Sequence, residues 1–397
     1  MTAAEVPVLT SAEAVAVAAE LGEEFAKEAA TRDRERLLPF DEVDRLATSG
    51  LLAITVPADH GGSSLPASVV AEVFRLISCG DPSIGQIPHS HFVYVNQLRL
   101  QGSAAQQARI FPEVLAGRKL ANAQSELGTR HVRDFRTTLS ADGTGAWRLN
   151  GTKFYCTGSL FADWLPVLAH LGEDGPMHVA WVPRDAEGVE IVDDWDALGQ
   201  RTTASGTVRF TDVHVSDDLI TDYAATFDAP TTYGAFAQLL HCAIDAGIAR
   251  AALREAAGFV TTKSRPYPDA GVERAADDPL VVQAFGEMEL AVRGAEALLA
   301  DAGRAVDAAD ADLDETTAGA ATLAVAAARA ATTRAAVEVA SRLFEVAGTR
   351  SALAKESLDR HWRNARTHTL HDPAAWKVQH LGRWAVGGVL PPRHGQL

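Results

Sequence analysis

Cysteine is scarce in this chain: Cys79, Cys156 and Cys242 are the three in 397 residues, and no two form a Cys-x-x-Cys pair. That count excludes a disulfide framework and a thiolate zinc site, and it suits a reducing compartment. Basic charge is also short, with 36 Lys and Arg against 52 Asp and Glu, a net charge of −16 and a pI near 5.2. A protein that tracks a nucleic-acid backbone or docks on an anionic membrane needs a basic face, and this balance argues against both. No basic residue precedes Lys27, so no positive segment opens a secretory signal, and a cytoplasmic protein is expected. Long apolar runs are interrupted as well. The Ala-rich stretch 320–340 is broken by Arg329, Arg334 and Glu338 and reads as a helix in water rather than a membrane span. Finally, there is no G-x-G-x-x-G after a strand and no Walker loop, hence no recognisable nicotinamide or nucleoside triphosphate site.

What is present changes period twice. Helical patterning runs to about residue 118, with Asp41 expected to cap a helix beginning at Glu42 and with Gly61-Gly62 and Asp81-Pro82 as punctuation. From 119 to 222 short β-type runs take over. Asp142-Gly143 and Asn150-Gly151 read as turns, and "WLPVLAHL", "MHVAWVP", "VEIVDD" and "TVRFTDVHV" read as strands. From 223 to 397 long helical segments return, at roughly 231–262, 278–308, 315–348 and 354–371. The expected architecture is α+β, mostly α: a helical domain over 1–118, an antiparallel β-barrel over 119–222 and a four-helix bundle over 223–397.

Several polar clusters stand out against this background. "RNARTHTLHDP" (363–373) places His368 and His371 three apart where Pro373 forces a helix to end. Two accounts stay open: basic residues complementing the negative helix end, or half of an active site. A metal pair is disfavoured, because no third and fourth ligands stand nearby in sequence. "KFYCTGS" (153–159) is either a plain barrel strand or an aromatic-and-hydroxyl edge for a planar cofactor, with Thr157 as the hydroxyl; Cys156 alternates away and reads as packing. "ANAQSELGTRH" (121–131) is a polar loop at the helix-to-strand junction. "PHSHF" supplies His89 and His91, and "KSRPYPDAG" sets Arg265 in a constrained turn that suits a phosphate or a structural ion pair.

Six segments in this order resemble one family: "NAQSE" (122–126), "GTKFYCTGS" (151–159), "DDWDALGQRTTASGT" (193–207), "SRPYPDAG" (264–271), "LFEVAGTR" (343–350) and "HWRNARTHTLHDP" (361–373). They resemble the acyl-CoA dehydrogenase fold, and within it the reduced-flavin-dependent monooxygenases typified by dibenzothiophene monooxygenase and the sulfur acquisition oxidoreductase group. The resemblance implies FMN delivered reduced by a separate NAD(P)H-dependent flavin reductase. It also implies O2 activation through a C4a-hydroperoxyflavin, a small organosulfur or related substrate, and a homotetramer. Carried over by position, Asn122, Gln124, Ser125, Glu126 and Leu127 would contact the flavin together with Lys153, Tyr155, Cys156 and Thr157. Arg265, Thr349 and Arg350 would hold it from a neighbouring subunit. His371 matches a catalytic histidine, with His368 beside it, and Thr157 stands where the dibenzothiophene enzyme has a serine. One position departs: Gln86 occupies the place of a catalytic histidine in that branch. His89 and His91 lie close by, and His91 stays among the catalytic candidates. The alternative is an FAD-dependent acyl-CoA dehydrogenase, whose carboxylate base would have to be Asp372, locked before Pro373. A flavin carrier or flavin reductase is a third class.

Overall fold

The computed structural model describes residues 6–131, 134–143 and 145–397. Its first region is helical: α1 (Ser11–Ala26), α2 (Ala29–Glu35), α3 (Phe40–Thr48), α4 (Ala67–Gly80), α5 (Pro82–Gln86), α6 (His89–Gln101) and α7 (Ala104–Leu115). Side chains near the ends set these limits. Thr10 and Ser103 close capping boxes with Glu13 and Gln106. Asp81 accepts from the Ser83 and Ile84 N–H groups, with Pro82 in the first turn of α5. Asp41 does not cap α3: Pro39 takes that place, and Asp41 lies in the first turn, where it still faces the positive helix end.

Seven strands follow: β1 (Thr138–Ala141), β2 (Ala146–Lys153), β3 (Trp164–Leu171), β4 (Met177–Pro183), β5 (Val189–Val192), β6 (Thr207–Ser216) and β7 (Ile220–Asp222). They form one sheet in the order β5-β6-β2-β1-β3-β4-β7. The pairs are antiparallel except β1 with β3, which run parallel through Thr138↔His170 and Leu139↔Leu171. Leu149, Val167, Val179, Trp181 and Val213 fill one core under the sheet. Asp142-Gly143 does lie in the β1–β2 connection. Asn150-Gly151 does not turn the chain; it lies inside β2 as an irregularity against β6. A Cβ at Gly151 would stand 2.3 Å from Thr137 Oγ1, so glycine is needed there for close approach rather than for a hairpin.

The last region holds α8 (Tyr233–Thr262), α9 (Pro279–Ala311), α10 (Glu315–Ala347), α11 (Asp359–His368) and α12 (Ala374–Gly387). Four helices were expected and the fifth was not. α11 ends at His368, three residues before the expected end near His371, so His371 lies outside its last turn, and Pro373 sits at the cap position of α12. Alanines on α8 and α10, among them Ala243, Ala246, Ala249, Ala328 and Ala336, let these helices approach closely in one core. The consequence for function is that α8 is buried on nearly every face along its first two thirds. Any polar side chain there must find its partner inside the protein.

Candidate active site

Two such side chains are His241 and Asp245, one helical turn apart on α8. Asp245 accepts from His368 Nδ1 at 2.5 Å and from Thr333 at 3.2 Å, and it is ion-paired with the fully buried Arg329 of α10. Burial alone would raise the Asp245 pKa, but Arg329 and His368 outweigh it and hold the carboxyl below its ordinary range. The other nitrogen of His368 is 3.1 Å from His241 Nδ1. His89, at the start of α6, stacks on His241 with ring centroids 4.0 Å apart. Arg329, which interrupts the apolar run of α10 in the sequence, is therefore the counter-ion of a buried histidine–carboxylate pair.

His371 stands just past the end of α11 and is exposed as a residue, though both its ring nitrogens are engaged inside the protein. Its Nδ1 is 2.7 Å from the His368 carbonyl, which can only accept, so the proton lies on Nδ1. Its Nε2 lone pair accepts from the Gln86 amide at 3.0 Å. Both contacts fit a neutral imidazole. Loss of water around the imidazole, with charge on His368 and Arg329 adding to it, lowers its pKa to about 3 against the opposing His368 carbonyl contact. His241, His368 and His371 each offer a nitrogen within 4.8 Å of the others. His368 already uses both nitrogens and Gln86 occupies Nε2 of His371, so the trio is a hydrogen-bonded proton network rather than a preformed metal cage.

The Thr157 segment, just past the end of β2, packs beside the residue that follows Gln86. The adjacent Gly158, at φ +83°, abuts Ile87: a Cβ there would lie 3.3 Å from the Ile87 carbonyl. Ile87 in turn follows Gln86, the partner of His371. A second tie comes from the 193–207 loop, where the Gln200 N–H donates to Asn364 Oδ1 on α11 at 2.6 Å. Within that loop a chain of hydroxyls leads away from Thr157: Thr157 to Ser205 at 2.8 Å, Ser205 to Thr203 at 2.7 Å, and Thr203 to the Gln200 carbonyl at 2.9 Å. Tyr155, Gln200 and Ala204 all have positive φ (59°, 53° and 49°). Such conformations cost free energy and persist where the surroundings over-determine them, often at functional sites.

The remaining sequence candidates divide. Asn122 is tied to the Thr157 segment, donating from its backbone to Thr157 and from its side chain to Tyr155. Ser125 accepts from the Phe154 N–H through its carbonyl, and Gln124 is half-buried beside it. Tyr155 and Leu127 are exposed, and Tyr155 packs edge-on to Phe154 and Trp195, forming an open aromatic surface. Glu126 and Lys153 form a buried ion pair at 2.8 Å, and Glu126 also accepts from Arg136 and Thr137. That pair pins the loop to β2 and leaves neither charge free. Cys156 is buried and its thiol is pushed up to about 12, which removes it as a nucleophile.

His91 is corrected. One nitrogen donates to the Leu52 carbonyl at 2.8 Å and the other accepts from the Leu120 N–H at 3.1 Å, so it bridges backbone and has nothing left for a ligand. Arg265, Thr349 and Arg350 do share one exposed corner, where Arg350 donates to the Lys263 carbonyl at 2.9 Å. That corner is remote from His371. At 1.5 Å per residue α8 carries Lys263 about 33 Å beyond His241. Sequence reasoning set Gln86 aside as a departure and passed over Asp245. The one available signal for the latter is a carboxylate four residues after His241 in the mostly apolar run 233–249.

Family models for the N-terminal, middle and C-terminal domains of acyl-CoA dehydrogenase match residues 12–118, 122–213 and 239–375. The chain belongs to the acyl-CoA dehydrogenase family. Within it, the chain is 31% identical over 392 residues to dibenzothiophene monooxygenase of Rhodococcus qingshengii, covering 95% of this chain and 94% of that one. It is likewise 31% identical to the probable FMNH2-dependent monooxygenase SfnC of Pseudomonas putida, over 95% of this chain and 96% of the other. The FMN-bound crystal structure of TdsC from Paenibacillus sp. A11-2 superposes with a TM-score of 0.92 at 34% identity, covering 97% of this chain and 100% of that chain. Family members named as monooxygenases, one of them FMN-bound, are thus similar to this chain over nearly its whole length. The chain's own residues fit a flavin: Gln86 Oε1 and both amide atoms of Gln200 are buried without a hydrogen-bond partner among the described residues. A buried amide without a protein partner can take up a polar ligand or an ordered water.

Proposed function

We propose that this protein is a reduced-FMN-dependent monooxygenase that uses O2 to oxygenate a small organosulfur compound. A separate NAD(P)H-dependent flavin reductase, in the cytoplasm, would supply the reduced FMN. The observation that carries the reading is the neutral His371, held between Gln86 and the His368 carbonyl at the edge of a buried histidine–aspartate network. Reduced FMN, when bound, supplies the electron pair that O2 chemistry needs. The chain's residues supply the rest. His371 accepts a proton on Nε2 and, with a lowered pKa, gives it back readily. Gln86 can follow by rotating its amide to present Oε1, now unpartnered, to the protonated ring. His368 and Asp245 hold His241 in place and stabilise positive charge arriving on the imidazoles. Trp195, Phe154 and Tyr155 offer an aromatic surface on which a planar ring can stack, in the segment that leads to Thr157.

The three regions 1–118, 119–222 and 223–397 act in this reading as three domains. The remoteness of Arg265, Thr349 and Arg350 supports a homotetramer in which this corner serves a neighbouring copy's flavin. Exposed Leu280, Val282 and Leu290 on α9, with nothing packed where a Cβ would project from Gly286 or Gly294, supply a surface for such contact. The acyl-CoA dehydrogenase reading fares worse. The carboxylate that reading would use, Asp372, pairs with Lys377 at 2.8 Å and Arg329 at 3.4 Å, and against burial these cations hold it below its ordinary range, a poor base.

The test is anaerobic loading with reduced FMN, followed by oxygen and a panel of organosulfur compounds. An S-oxygenated product is expected. In His371→Ala, flavin oxidation should continue while product per reduced FMN falls at least about tenfold in favour of H2O2. Equal yields in mutant and wild type would remove His371 from the mechanism. Turnover of an acyl-CoA with an artificial acceptor and without O2 would replace the reading altogether.

A further inference from the structure

The hydroxyl chain behind Thr157 has a fixed direction. A carbonyl cannot donate, so in the 2.9 Å contact Thr203 gives its single hydroxyl proton to Gln200. Thr203 must then accept from Ser205, which spends the Ser205 proton in the 2.7 Å contact. Ser205 must in turn accept from Thr157 across 2.8 Å. At the outer end Thr157 is left with lone pairs and no proton to offer. Reversing the chain would set the Thr203 and Gln200 oxygens 2.9 Å apart with no hydrogen between them. The chain is held rigidly, because Thr157, Thr203 and Ser205 are all buried. Further backbone bonds brace it: Gly158 N–H donates to the Thr203 carbonyl at 2.9 Å, and Trp195 Nε1 donates to the Gln200 carbonyl at 2.8 Å.

We propose that Ser205 and Thr203 are positioning residues that make Thr157 an obligate acceptor, so that the site selects the reduced, N5-protonated flavin over the oxidised one. Reduced flavin carries a proton on N5 and can donate it to Thr157; oxidised flavin presents a lone pair at N5, which would face another lone pair. The inference rests on the monooxygenase reading and adds what that reading leaves open: how a protein with no dinucleotide site distinguishes incoming reduced cofactor from spent cofactor. Release of the oxidised form after turnover follows from the same polarity.

The experiment measures binding of FMN and of anaerobically reduced FMN to the purified full-length protein, with the midpoint potential of bound FMN as a second readout. Wild type should prefer the reduced form by about tenfold, the worth of one hydrogen bond, and raise the bound potential by about 30 mV. Ser205→Ala frees the Thr157 proton, so the preference should shrink to about threefold or less, mainly because oxidised FMN binds more tightly. Thr203→Val should act in the same direction, and Ser205→Thr, which keeps the hydroxyl, should restore the wild-type ratio. A ratio unchanged in both Ser205→Ala and Thr203→Val, or a wild type that binds both forms equally, overturns the proposal. A wild type that binds neither form overturns the flavin reading beneath it as well.

Discussion

Among single residues, the buried imidazoles tie stability to pH. His91 donates to Leu52 and accepts from Leu120, a pattern that only the neutral ring can satisfy. Burial lowers its pKa to about 4, with the Leu52 contact and Asp163 opposing and Lys119 assisting. The folded value lies below the unfolded one, so between pH 6.5 and 4 the unfolded chain binds the extra proton. Stability is complete above about pH 6.5 and is lost as pH falls toward 4, by roughly 3 kcal/mol for this group. His89, also lowered to about 4 by burial, acts with the same sign. Melting temperature should therefore drop between pH 7 and pH 4.5, and His91→Gln should flatten that slope; a wild type melting at one temperature across the range would contradict it. His91 also marks the limit of reading single residues from sequence. Two histidines in "PHSHF" are equivalent on paper, and only the packing of α6 decides that His89 stacks on the network while His91 bridges backbone. His368 and His371 were legible because a proline after a helix fixes where their side chains cluster. Gln86 was not, because its importance is a contact 285 residues away in sequence.

Between elements, the decisive contact joins the 193–207 loop to α11. Gly199 lies so close that a Cβ would fall 2.1 Å from the Arg363 carbonyl, and the Gln200 N–H donates to Asn364 one residue further along each chain. This seam keeps the hydroxyl chain of the sheet region against the helix that carries His368. Gly199→Ala should force the seam apart at a cost of roughly 2 kcal/mol. Because the loop holds Ser205 and Thr203, reduced-FMN affinity should fall along with the melting temperature. The same melting temperature and affinity as wild type would mean that the loop is free to shift. The long helices and most strands were readable because their periods, 3.6 and 2, persist for many residues. The parallel β1–β3 pair, the irregularity at Gly151 and helix α12 were not. Each depends on which element lies alongside, and local periodicity carries no such information.

For the whole molecule, the question is where one flavin finds its ligands. The histidine network lies near the start of α8, while Arg265 and Arg350 share a corner beyond its end, about 33 Å of helix away. No single FMN spans that distance, so one copy can supply only half of a site if both groups bind it. Two point variants separate the halves. Arg265→Ala should weaken FMN binding and His371→Ala should uncouple turnover, each leaving little product on its own. Mixing the two variants in one assembly would then restore function, because some sites draw His371 from one chain and Arg265 from the other. For random pairing across a two-fold interface, about a quarter of the sites should be intact. Product formation rising to about that fraction of wild type after co-expression, and not after simple mixing of stable assemblies, is the expected result. If co-expression gives no more product than the better single variant, Arg265 does not complete a neighbour's site, and the corner it shares with Thr349 and Arg350 has only a structural role.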